Sequence, residues 1–315
     1  MTSVSEAGVR VNQLGDSAPE LMFYQDEPPQ MASGSTGKSG YLRLGFALRG
    51  QRSVLAQMER RVPFLVQRAL YWDEMLPQMP CVFVISTSGC VLQGDRLAMD
   101  IHVAPQASGH VTTQSATKIH AMENNYAAQI QTLNIEQEGY LEVMPDPVIP
   151  HSGSRFITDT RITLHPTATL LFSEILMSGR KYHQADGGFN FDVYSSRISA
   201  CYPDGKPLFT ERYVLEPRKQ PLSSVGVMGP FDVFGNVILL TPVTHHARIL
   251  ARISPCYDAV AGIASGVSRL PNDCGLIFKA LGKESHQVKA AIRGFWRIAR
   301  EEILGVTLPE PFIWR

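Results

Sequence analysis

What most constrains this chain is a long succession of short strand-like segments with no helix-length segment between them. From Tyr41, apolar residues recur at every second position, Leu42, Leu44, Phe46 and Leu48, the signature of a half-buried strand. Further strands are expected at 81 to 87, 98 to 104, 110 to 117, 128 to 137, 139 to 144, 155 to 164, 168 to 177, 189 to 199, 208 to 215 and 233 to 241. Turn-formers such as Gly89, Gly94-Asp95, Pro105, His165-Pro166 and Asp204-Gly205 separate them. A doubly wound α/β sheet needs a helix between successive strands, so that architecture is excluded. Helices are expected only late, at Thr244 to Arg252 and at Ser285 to Leu304. In the second, Val288, Ile292, Phe295, Ala299 and Ile303 share one face, with Lys289, Arg293, Arg297, Arg300 and Glu301 elsewhere. The expected fold is mainly β. It is a single large domain over 39–315, with layered, β-helix-like or sandwich-like sheets and a few helices in its C-terminal quarter. Residues 1–38, rich in Ser, Gly, Pro and Gln, are read as a flexible or loosely docked tail.

Charge narrows the partners. Lys and Arg number 29 and so do Asp and Glu, leaving no basic surplus for nucleic acid. No apolar run approaches the roughly 20 residues of a membrane span, and the N-terminus has no basic and apolar secretory pattern. Five cysteines, at 81, 90, 201, 256 and 274, include no C-x-x-C pair, which fits a reducing cytoplasm.

Several motifs fail on context. Ala32 to Ser39 resembles a phosphate loop, but a Pro-Pro segment precedes it and a strand follows it, so it is read as a tail of matching composition. There is no G-x-S-x-G elbow and no H-E-x-x-H. Cys90 is read as a turn residue. His245 and His246 diverge by about 100° on a helix, cannot chelate one ion together, and are given surface roles.

Polar residues at positions patterned for burial say more. Glu174 lies inside Leu170-Leu171-Phe172-Ser173-Glu174-Ile175-Leu176-Met177; Glu142 shares a strand face with Tyr140 and Met144; Asp146 sits between Pro145 and Pro147. A carboxylate in such surroundings is paired, metal-bound, hydrated or protonated. Pairing with Arg155 or Arg180 is the simplest outcome; handling of a cation is the other. The stretch from His110 to Lys118 is polar on both faces, which calls for an internal hydrogen-bond network or a wet cavity. Glu142 and Glu174 could also serve a β-rich hydrolase as general acid and base, provided that both face one open cleft.

Three stretches, in order and spacing, resemble the urease accessory protein UreD family, called UreH in some organisms. They are Gln93-Gly94-Asp95-Arg96-Leu97, Val111 to Ile119 with its T-T-Q-x-A-T-K core, and Tyr140 to Pro150. Glu174 with Ser178-Gly179-Arg180 is similar to a later stretch of the family, while Ser88-Gly89 stands where the family commonly has a double glycine. The resemblance implies a non-enzymatic nickel chaperone that joins UreF and the GTPase UreG on apo-urease and supports GTP-dependent nickel insertion. It implies no tightly bound cofactor, only nickel in transit through a water-filled passage. Glu142, Asp146, Glu174 and Asp95 are the expected residues of that path. Widely spaced acids suit transit of a borderline cation better than a closed cage would. The C-terminal segment Leu308 to Arg315, with Phe312 and Trp314, is expected to dock on the domain or, as the alternative, on a partner such as UreF.

Overall fold

The computed structural model describes residues 10–26, 39–183 and 188–309. Its strands in chain order are β1 (Ser39–Arg49), β2 (Arg52–Arg61), β3 (Phe64–Leu65), β4 (Cys81–Ser86), β5 (Arg96–Val103) and β6 (Ser108–Thr113). Then come β7 (Thr117–Ile119), β8 (Ala127–Ile135), β9 (Tyr140–Val143), β10 (Val148–Pro150), β11 (Arg155–Leu164) and β12 (Thr169–Met177). The last are β13 (Val193–Cys201), β14 (Pro207–Leu215), β15 (Val233–Leu240), β16 (Cys256–Asp258), β17 (Ile263–Arg269) and β18 (Gly275–Gly282). A five-residue helix covers His246–Leu250, and the C-terminal helix covers Ser285–Leu304.

Two large sheets result, ordered β14-β13-β11-β8-β5-β1-β2 and β16-β17-β18-β15-β12-β9-β6-β4-β3. Between β4 and β13 the chain alternates from one to the other, with β7 and β10 inserted between. β5, β8, β11 and β13 pair in parallel in the first sheet, and β4, β6, β9 and β12 do so in the second. A parallel neighbour needs a crossover, and here the crossover is a strand of the opposite sheet rather than a helix. β7 and β10 form a short third side, where Ile149 pairs with Lys118 and Val148 with Leu176 of β12. The centre is therefore a parallel coil of β-helix type, extended at both ends by antiparallel strands.

Strand alternation gives each sheet two faces, and each face is covered. Leu42, Leu44 and Phe46 meet Val82, Leu170 and Phe172 in the core between the sheets. The outer face of the second sheet, through Leu171, Ile175 and Val237, packs on Val288, Ile292, Phe295 and Trp296 of the C-terminal helix. On the outer face of the first sheet, Tyr41, Ala98 and Ile130 pack against Val11 and Leu21 of the N-terminal segment. Glu20 of that segment, buried, accepts hydrogen bonds from Ser195 Oγ (2.7 Å) and Arg212 (2.8 Å). Residues 10–26 thus form an outer layer, whereas residues 27–38, which hold all of the phosphate-loop-like run except Ser39, lie outside the described residues.

The C-terminal quarter is less helical than expected, because β16 to β18 extend the second sheet antiparallel beyond β15. The C-terminal helix spans the expected residues, opened by a capping box between Glu284 and Gln287 and closed by Gly305 at φ 70°. Arg300, which lies off the apolar stripe, is nonetheless 1% exposed. His246, given a surface role, is fully buried, with Nε2 3.0 Å from the Thr241 carbonyl. The aromatic C-terminus from Glu310 lies outside the described residues; Leu308, just before it, joins the core under the helix. No described helix is long and apolar enough to cross a membrane.

Candidate functional site: an internal cavity and an ionic lock

The coil's interior is not uniformly apolar. Between the two sheets lies a cavity of about 160 Å³, lined by Gln129, Gln131 and Thr158 from the first sheet and by Thr113 and Glu174 from the second. Asp95, Asp146 and the run Ser115 to Lys118 also line it. Most of the wall is apolar, with Phe156, Phe172 and Val143 among its members, but the volume and these polar groups can accommodate waters. The two-sided polarity of 110 to 118 is thereby explained. His110 and Thr112 enter a hydrogen-bond network, Thr112 Oγ1 donating to the Met144 carbonyl at 2.7 Å, while Thr113 and the residues after it border the cavity.

Each acid is held differently. Asp95 is completely buried at the turn into β5, where Gly94 takes φ 75°, and its Oδ2 accepts the Leu92 amide at 2.8 Å. The neighbouring motif residues staple this coil to the next. Gln93 Oε1 accepts the Glu123 and Asn124 amides (2.6 and 2.9 Å), and Arg96 donates to the Tyr126 carbonyl (2.7 Å). Asp146 lies at the rim, paired with Lys289 of the C-terminal helix at 2.9 Å. Glu174 projects inward from β12, with Ser196 Oγ donating to it at 3.2 Å. Burial pushes the Glu174 carboxyl up to about 7; the Ser196 hydroxyl opposes that rise and the nearby Glu211 adds to it. Protein surrounds the group on all sides, yet it retains accessible area because it faces the cavity.

Glu142 belongs elsewhere. Its register partner on β12 is Leu171, so it shares the helix-facing side of the sheet, while Glu174, three residues on, faces the interior. Oε1 accepts Tyr140 Oη (2.7 Å), Trp296 Nε1 (2.7 Å) and Arg300 Nε (3.0 Å); Oε2 meets Arg300 Nη2 (2.8 Å) and His110 Nδ1 (2.8 Å). An ionised carboxylate accepts only, so the His110 Nδ1 carries the proton. Arg300 also reaches Asp73 Oδ2 at 2.5 Å, whose other oxygen caps the Met75 and Leu76 amides. Burial alone would raise the Glu142 carboxyl, but Arg300 and His110 overcome it and hold it well below the usual carboxylate range. The same pairing outweighs burial at Arg300 and raises its affinity for its proton.

The ion-pair partners therefore differ from those expected. Arg155 binds Asp192 at 2.7 Å, and Arg180 has no ionic partner among the described residues. Arg300, Asp73, His110 and Trp296 escaped attention as a group. The signal available was Trp296 and Arg300 at helical i, i+4 spacing beside the apolar stripe. The acid–base pairing of Glu142 with Glu174 also fails, because the two carboxyls lie on opposite faces of one sheet and cannot address one substrate atom. Of the four expected path residues, the cavity brings together Asp95, Asp146 and Glu174 and leaves Glu142 behind the sheet. Among the described residues, no three His, Cys, Asp or Glu side chains converge as a metal-ligand set.

Comparison with known proteins places this architecture. Residues 38–315 match the family described as UreD urease accessory protein. The chain is 79% identical over 313 residues to a "Urease accessory protein UreD" of Photorhabdus laumondii, covering 99% of this chain and 98% of that protein. It is 67% identical over 307 residues to the protein of that name from Yersinia pseudotuberculosis (98% and 96% covered). To its counterpart in Yersinia enterocolitica it is 65% identical over 313 residues (98% and 96% covered). With a nearly full-length match and the Gln93 to Leu97, Val111 to Ile119 and Tyr140 to Pro150 stretches built into one coil, the chain belongs to the UreD family of urease accessory proteins.

Proposed function

We propose that this chain acts in urease maturation as a non-catalytic cytoplasmic scaffold that joins UreF and the GTPase UreG on apo-urease. In that assembly it supports GTP-dependent insertion of nickel, passing the ion through the cavity between its sheets. The observation that carries the reading is that Asp95, Asp146 and Glu174 line one internal cavity. Nickel(II) accepts carboxylate and water oxygens, and single carboxylates release it more readily than a closed cage does. Glu174, with its carboxyl near neutrality, exchanges a proton for a cation at little cost. Glu142 takes the structural part, since both of its oxygens are engaged in fixing the C-terminal helix to the sheet.

The test is maturation of urease with the variant Asp95→Asn/Asp146→Ala/Glu174→Ala, chosen to keep the Asp95 turn intact. A folded variant that still co-purifies with UreF, UreG and apo-urease is expected to yield urease with several-fold less nickel, measured by metal analysis. Normal nickel content would refute passage along these acids and leave the scaffold role standing. Failure of the unaltered chain to associate with any of the three would remove the scaffold role.

A further inference from the structure

The Ser178-Gly179-Arg180 stretch resembles the family, yet Arg180 takes no part in the lock or the cavity acids. Its position follows from the coil. β7, β10 and β12 lie side by side in parallel, so the residues just beyond their C-terminal ends come together. β7 contributes Lys118 near its end and His120 just after it, β10 leads into His151, and β12 leads into Arg180. The His120 and His151 rings are 5.7 Å apart between centroids, and the His151 amide donates to the Ile119 carbonyl at 2.9 Å. Lys118, His151 and Arg180, with Lys181, line a surface pocket of about 560 Å³ that contains no carboxylate among its described residues. Lys181 is neutralised by Asp232 (3.1 Å) and Glu284 (2.8 Å); Lys118 and Arg180 have no such partner among the described residues. Burial, then Arg180, His120 and Lys118, depress the His151 pKa, as expected of like charges gathered in one place.

We propose that this pocket docks an acidic segment of a protein partner. Cations are repelled here. Nucleic acid is disfavoured because the chain has no net positive charge and the basic groups occupy one concavity rather than a track. A lone oxyanion is much smaller than the pocket, and the exposed Lys118 and Arg180 do not enclose one. Two Asp or Glu side chains of one segment can instead meet Lys118 and Arg180 separately, the charge complementarity that sets partner choice and encounter rate. Cys90 and Lys118 line both this pocket and the internal cavity, so the docked segment sits against one end of that cavity.

The experiment is fluorescence anisotropy of a labelled hexaglutamate peptide with the full chain. Saturable binding is expected, weakening about ten-fold between roughly 50 and 200 mM NaCl as screening grows. The double charge reversal Lys118→Glu/Arg180→Glu should weaken it at least about ten-fold, and Lys118→Gln/Arg180→Gln by a smaller factor. Both sites are exposed, and a circular dichroism melt confirms folding. Absence of saturable binding, or binding by the folded Glu and Gln variants as tight as that of the unaltered chain, would overturn the assignment. Displacement by inorganic phosphate beyond that of chloride at equal ionic strength would overturn it in favour of a free oxyanion. The readout requires neither nickel nor urease, so it stands apart from the test of passage.

Discussion

Glu142 on β9 and Glu174 on β12 are carboxylates of neighbouring strands in one sheet, both embedded in protein, and they behave in opposite ways. Glu142 faces the C-terminal helix, where a guanidinium, an imidazole, an indole and a phenol converge on it; Glu174 faces the cavity, where its donors, Ser196 at 3.2 Å with Asn236 and Tyr213, are all uncharged. The first is held ionised far below its usual range, and the second rises to about 7. Burial is common to both, so burial does not decide what a carboxylate does. The number and charge of the donors that the fold brings to it decide. One face of the sheet uses its acid to fix an element in place, and the other leaves its acid responsive to protons near neutrality.

The largest expected effect comes from breaking the lock. Arg300→Ala strands Glu142 and Asp73 in a dry environment and should cost about 3–5 kcal/mol in urea denaturation. A loss below about 1 kcal/mol would mean that the two carboxylates find water or protons without the arginine, and the contrast between the faces would disappear. Next comes the pH dependence of Glu174. Its folded pKa of about 7 lies above the ordinary 4.5, so between those values the unfolded chain releases a proton that the folded chain keeps. Stability from this group therefore falls as pH rises through that window, by about 3 kcal/mol in total, and levels off above it. Glu174→Gln should remove that slope, seen as a gain relative to the unaltered chain at pH 8 that is absent near pH 4.5. Glu142 has the reverse sign, because its depressed pKa adds stability above 4.5 that is lost on acidification. An unaltered slope in Glu174→Gln would show that the cavity hydrates the carboxylate as well as bulk water does. The smallest effect is expected for Lys289→Ala, which frees Asp146 at the rim; partly exposed pairs contribute less than about 1 kcal/mol. A larger loss by the same measurement would make that bridge a second anchor of the helix.

Much of this contrast is visible in the residues themselves, and the remainder depends on neighbours that local pattern does not encode. Glu174 and Glu142 stand out because each interrupts an apolar run, but which face each occupies depends on the Leu171–Glu142 register and on the helix covering one side. Arg300 lies off the apolar stripe beside Arg297 and Glu301, and its burial follows from the helix packing over His110 and Glu142. Asp73 comes from a loop with no periodicity. β2 escapes recognition because it is an edge strand rich in Arg, Glu and Gln, exposed along most of its length and paired with β1. Alternating strands also fit an antiparallel meander. The parallel coil arises from the order of pairing, which alternation does not record.

The winding of the chain also sets a ruler. Asp95 precedes β5, Asp146 follows β9, and Glu174 lies on β12, so the turns of backbone containing β5, β9 and β12 contribute one acid each. Successive windings are offset by one strand spacing, about 4.8 Å along the stack. The spacing of the windings that carry these acids is therefore fixed by main-chain hydrogen bonding, while the place of each acid within its winding follows from where it stands along the strand. Inserting or deleting a whole winding would change how many such steps there are and leave the step unchanged.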